Sequence, residues 1–165
     1  MSTRKALGIL CAVVVVITLY IGLGLWLRVD DAWVGFLLLT QWTVVDGGKI
    51  TQLPRTVLGA LSGMTTALIP GLLSTYLGSG PAMALMLSLI LVAIFLFTTG
   101  RASQVINAAT MVFLTVMSVP QIGARAVPAD LFIGFALGLA YFGGLGFLAS
   151  QVVKGRTTVS QRAET

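Results

Sequence analysis

The sequence predicts an all-α polytopic membrane protein: six transmembrane helices arranged as two inverted three-helix repeats, with both termini cytoplasmic. Three observations carry this prediction. They are an apolar composition with few charges, a succession of apolar runs divided by turn residues, and a self-match at a spacing of 75 residues. Of the 165 residues, 57% are hydrophobic and 9% charged, and the mean hydropathy is +1.01. Soluble domains carry about 25% charged residues, so this chain has too few to cover a water-facing surface. An ordinary soluble enzyme, a disordered tail and a disulfide scaffold are excluded together.

The runs are justified in order. Residues 6–27 contain no charge and follow Arg4 and Lys5. A crossing needs about 20 mainly apolar residues, whereas the core of a secretory signal has about 7–15 and precedes an A-x-A site, which this run lacks. It is expected to be a retained first helix. Residues 33–45 form a short second segment between Asp30/Asp31 and Asp46. Residues 56–77 follow Pro54 and contain Pro70, and residues 81–99 begin at Pro81, where proline's missing N–H costs nothing. Residues 103–119 hold Gln104, Asn107, Thr110, Thr115 and Ser118 among apolar residues, and residues 128–150 again start at a proline. Gly78-Ser79-Gly80-Pro81 and Asp46-Gly47-Gly48 read as turns. The membrane domain thus covers 1–153, its repeats about 6–77 and 81–152, and a basic cytoplasmic tail covers 154–165.

The distribution of Lys and Arg, which accumulate on the cytoplasmic side of bacterial membranes, tests the count. Six crossings place Arg4, Lys5, Lys49, Arg55, Arg101, Lys154, Arg156 and Arg162 inside and only Arg28 and Arg125 outside. Were the two shorter segments re-entrant, the ten cations would divide five and five. Six crossings with both termini cytoplasmic are therefore expected. The net charge of +5 is then a matter of orientation rather than of nucleic-acid binding.

At the 75-residue spacing the second and third segments align with the fifth and sixth. Leu39/Leu114, Thr40/Thr115, Val44/Val119, Gly48/Gly123, Gly59/Gly134 and Gly63/Gly138 are identical, and Thr43/Ser118 conserve a hydroxyl. Three crossings per half is an odd number, so the second half enters from the opposite side, as in many channels and transporters.

Functional candidates follow from the polar residues. Gln104, Asn107, Met111, Thr115 and Ser118 recur at helical spacing and would share one face. Trp33, Thr40, Gln41, Thr43, Asn107, Thr110, Thr115 and Ser118 are candidates for lining a solute path, and the same groups also suit interhelical hydrogen bonds. Gly59, Gly63, Gly134 and Gly138 form two small-xxx-small motifs, expected to pack the third helix against the sixth or to meet another subunit. The chain has no His and one Cys, Cys11, so no disulfide or His/Cys metal site forms within it. No ionisable group lies deep in a segment, which argues against proton coupling. No P-loop or nucleotide fingerprint occurs, and no base stands beside a nucleophile, so neither an enzyme nor a cofactor is expected.

Trp33-Val34-Gly35-Phe36, then Gly47-Gly48, then Gly59-Ala60-Leu61-Ser62-Gly63 resemble the YcdZ-type bacterial inner-membrane proteins. That family is small and polytopic, with a W-x-G-F element and a Gly-Gly turn before an L-S-G helix. The resemblance covers residues 30–70, with Asp30, Asp31 and Asp46 as departures. It implies location and shape, and no substrate or catalytic residue.

The expectation is a channel or facilitator for a small neutral polar solute, embedded in the lipid bilayer as a homo-oligomer. The alternative is a non-conducting membrane scaffold or assembly partner that acts through its glycine-rich helix faces.

Overall fold

A computed structural model describes residues 3–119, 122 and 127–151. The expected Gly48/Gly123 match, Arg125 and the tail 154–165 involve positions outside the described residues.

The chain is helical throughout, with no strand among the described residues. Helix α1 spans Thr3–Leu27 and α2 spans Trp33–Thr40, continuing through a π turn at Gln41–Val45. Helix α3 is Leu53–Leu77 and α4 is Ser79–Thr98. Helix α5 is Ala108–Met117, and α6 is Pro128–Gly138, continuing through a second π turn at Leu139–Gly143 to Gln151. Local chemistry sets these limits. Pro54 and Pro128 sit in the first turns of α3 and α6, where a missing N–H is harmless. Gly47 and Gly48, at φ +64° and +67°, turn the chain after α2 in a conformation that a Cβ would oppose.

Four helices, α1, α3, α4 and α6, are long and apolar enough to cross a membrane. The expected fifth segment is shorter than its apolar run: α5 begins at Ala108, because Asn107 is extended and caps it. At 1.5 Å per residue, the 10 residues of α5 rise about 15 Å, and the 13 of α2 about 20 Å.

The two short helices lie at the centre. The core comprises Val34 and Leu38 of α2, Ala60, Met64 and Ala67 of α3, Ala93 of α4, Ala109, Phe113, Leu114 and Met117 of α5, and Leu131 and Phe135 of α6. Phe113 and Phe135 meet edge to face, with ring centroids 6.0 Å apart. Helix α4 packs on α3. Helix α1 buries only Tyr20 and Gly24. It is tied in by Tyr20, whose hydroxyl donates to Ala32 O at 2.7 Å, and by Tyr141, whose hydroxyl donates to Val16 O at 3.0 Å. Tyr20 also stacks with Phe36, Tyr141 and Phe142.

The glycines correct one expectation. The third helix does not meet the sixth through them. Instead α3 packs on α5 and α6 packs on α2. A Cβ on Gly63 would stand 2.5 Å from Thr110 O, and one on Gly59 would stand 2.6 Å from Asn107 Cγ. A Cβ on Gly35 would stand 2.8 Å from Gly138 Cα, and one on Gly134 would stand 3.2 Å from Ala32 N. These contacts pair up at the 75-residue spacing: Gly63 with Thr110 matches Gly138 with Gly35, and Gly59 with Asn107 matches Gly134 with Ala32. Residue numbers rise together along both pairs, so each short helix runs parallel to its long partner. The helix starts obey the same spacing, Trp33 with Ala108 and Leu53 with Pro128.

Candidate functional site

The end of α2, the start of α3, the end of α4 and the start of α5 converge on one side of the molecule. They border a partly open cavity of about 340 Å³, with Arg55, Phe97 and Gly100 at its exposed rim. Such a volume sits at the small end of ligand sites, which run roughly 300–1,000 Å³.

Each wall is placed by a local device. The π turn delivers Gln41, 3% exposed, from α2. π turns insert one residue into a helix and redirect the side chains beyond it. Asp46 follows the turn, and its Oδ2 accepts from the hydroxyl of Thr56 on α3. Thr56 itself is 2% exposed. Arg55 stands in the first turn of α3, with its Nε donating to Ser103 O at 3.0 Å across to the α4–α5 connection. Asn107 closes the wall at the start of α5. Its Oδ1 accepts from Ala109 N at 2.9 Å, its Nδ2 donates to Arg55 O at 2.9 Å, and its N donates to Thr110 Oγ1 at 3.0 Å. Thr110 in turn donates to Val105 O at 2.7 Å. Phe97 and Ile106 supply apolar wall.

Of the eight candidate path residues, Gln41 and Asn107 line this cavity and the other six do not. Trp33 is half-buried at the far end of α2, its indole N–H donating to Asp31 Oδ1 at 2.7 Å. Thr40, Thr43 and Thr115 are exposed on the outside of their helices. The Thr43 hydroxyl donates to Leu39 O at 2.7 Å, and the half-buried Ser118 donates to Leu114 O at 2.6 Å. Thr110 is fully buried and committed to the cap. Hydroxyls on a helix can satisfy themselves on the carbonyl four residues back, so they sit in apolar surroundings without marking a path. Gln104 precedes α5 and is exposed, so the shared polar face expected across 104–118 does not form.

Sequence reasoning missed Asp46, Arg55, Thr56 and Ser103 as site residues, because the charges and the connections were read as boundaries. One signal was available. Asn107 is a residue type favoured at helix N-caps, which marks a candidate helix start, and in the structure it forms a capping box with Thr110. The departures at Asp31 and Asp46 also find roles, as acceptors for Trp33 and Thr56. No group of three or more His, Cys, Asp or Glu among the described residues is placed to hold a metal ion.

Compared with known proteins, the chain matches no family model, no curated protein and no solved structure.

Proposed function

We propose that this protein is a facilitator for a small neutral polar solute, built from two inverted three-helix halves that cross a bacterial inner membrane six times. The observation that carries the reading is the cavity where α2 ends and α5 begins, with the buried Gln41 amide in its wall. Helices α2 and α5 correspond in the repeat, yet the end of one lies beside the start of the other. That is the relation expected of inverted halves. The recurrence of the glycine contacts and helix starts at 75 residues supports the same arrangement. In the six-crossing topology favoured by the Lys and Arg distribution, both termini are cytoplasmic and the cavity opens to the cytoplasm. The Trp33-Val34-Gly35-Phe36 and Gly47-Gly48 elements support placement beside the YcdZ-type proteins.

Beyond the cavity, the next turns of α2, α3 and α5 contribute Leu38, Ala60 and Phe113, each 2% exposed or less. The route is therefore closed in this conformation, and passage requires the short helices to shift against their long partners. At about 20 and 15 Å, α2 and α5 are shorter than a full crossing, which suits such movement because their connections must complete each passage. Gly59, Gly63, Gly134 and Gly138 all meet other helices of the same chain, which supports the facilitator reading over the scaffold alternative. Any homo-oligomer then forms through other faces.

Liposome flux tests the reading. Purified protein is expected to accelerate entry of at least one solute from a panel of urea, glycerol and small amides. Equal rates with and without folded protein across the panel would overturn it.

A further inference from the structure

We infer that the cavity between α2, α3 and α5 is a binding site for a small zwitterion, a solute of zero net charge bearing a cationic and an anionic group. The inference rests on the facilitator reading and narrows its substrate class.

It starts from what the cavity leaves unpartnered. Gln41 is 3% exposed, and its amide makes no hydrogen bond to another described residue. Among the described residues every fully inaccessible side-chain N or O has a partner, so the small accessible area of Gln41 includes its amide, and the cavity is the space it borders. A buried amide with donor and acceptor both open is costly unless something binds it. Arg55 and Asp46 line the same space with opposite charges. Their hydrogen bonds go to Ser103 O and Thr56 rather than to each other. Among the described residues, the terminal guanidinium nitrogens of Arg55 and the second oxygen of Asp46 thus have no hydrogen-bond partner and can serve a ligand. One cation and one anion give the lining no net charge, so neither a simple anion nor a simple cation is matched. A solute carrying both charges meets both, with the Gln41 amide between donor and acceptor roles and Phe97 and Ile106 against its carbon skeleton.

Two sources carry this chemistry: a free small zwitterion and a zwitterionic lipid headgroup at the membrane surface. The experiment uses the full chain in nanodiscs of phosphatidylglycerol, titrated calorimetrically with glycine betaine. Urea, glycerol, acetate and tetramethylammonium serve as comparators. Betaine is expected to bind at least tenfold more tightly than each comparator. Gln41→Met and Arg55→Gln are each expected to weaken it at least tenfold, while Thr115→Ala leaves it unchanged. Repetition in phosphatidylethanolamine discs separates the sources. A competitive loss of betaine affinity assigns the site to the headgroup, and unchanged affinity assigns it to the free solute. Betaine binding no tighter than urea and glycerol in the unmodified protein, in either lipid, overturns the inference, and this comparison does not depend on any variant folding. If urea or glycerol flux persists in that case, the facilitator reading survives and only the zwitterion assignment falls. If betaine binds as expected but no solute crosses, the site stands and the facilitator reading falls.

Discussion

Replacing Gly63 by alanine tests the packing on which the whole arrangement depends. The added Cβ would stand 2.5 Å from Thr110 O and 3.0 Å from both Leu114 N and Phe113 Cβ. The first two are backbone atoms, which cannot rotate away, so α3 and α5 must separate by nearly an ångström. Overpacking of this kind costs about 1–3 kcal/mol. Alanine returns about 1 kcal/mol of helix propensity over glycine. A net loss of about 1–2 kcal/mol is therefore expected. Gly138→Ala places a Cβ against Gly35 Cα at the position 75 residues further along, and a loss of the same size is expected. Gly22→Ala is the control, because nothing lies within 4 Å of its Cβ, and it should be neutral or stabilising. Unfolding by denaturing detergent, followed by circular dichroism, measures all three. If Gly63→Ala and Gly138→Ala unfold no earlier than Gly22→Ala, the helices do not meet as described and the reasoning fails.

Three further outcomes are expected. Asn107→Ala removes the cap of α5 and the side-chain donor that reaches Arg55 O across to α3, a loss of about 1–3 kcal/mol in the same unfolding measurement. Asn107→Asp retains the capping acceptor and is expected to lose about half as much. Tyr20→Phe keeps the ring among Phe36, Tyr141 and Phe142 but deletes the bond to Ala32 O, at a cost of about 0.5–1.5 kcal/mol, and proteolysis should detect earlier release of α1. Thr43→Val and Thr115→Val, both on outward surfaces, should leave solute flux within the error of the liposome assay.

Much of the helix plan was legible in the sequence, because apolar runs of about 20 residues have few other uses. The limits at Pro54, Gly47-Gly48, Gly78 and Pro128 were marked by residues whose backbone chemistry ends or begins helices. The 75-residue self-match was also legible, since the four glycines that carry it must stay small where helices touch. Their partners were not. A small-xxx-small motif says that something comes close, but not which helix, and here Gly59 and Gly63 face α5 while Gly134 and Gly138 face α2. The site was legible only at Gln41 and Asn107. Periodicity over 104–118 presumed a helix that Asn107 in fact begins, and no pattern in the sequence announces the π turn that delivers Gln41. Asp46 and Arg55 were recognisable as interfacial charges, but their shared cavity depends on a tertiary convergence of four helix ends.

The central claim is that two three-helix halves lie inverted in the membrane, and the sidedness of the connections tests it most directly. In a Cys11→Ala background, single cysteines replace Lys49, Ser79 and Arg101 in turn, and a membrane-impermeant maleimide is applied from either side of sealed vesicles. With six crossings, Lys49→Cys and Arg101→Cys are labelled only from the cytoplasmic side and Ser79→Cys only from the outer side. The opposite pattern, with positions 49 and 101 reached from outside and position 79 from inside, would mean that α2 and α5 do not cross, that the halves are parallel, and that the account is wrong.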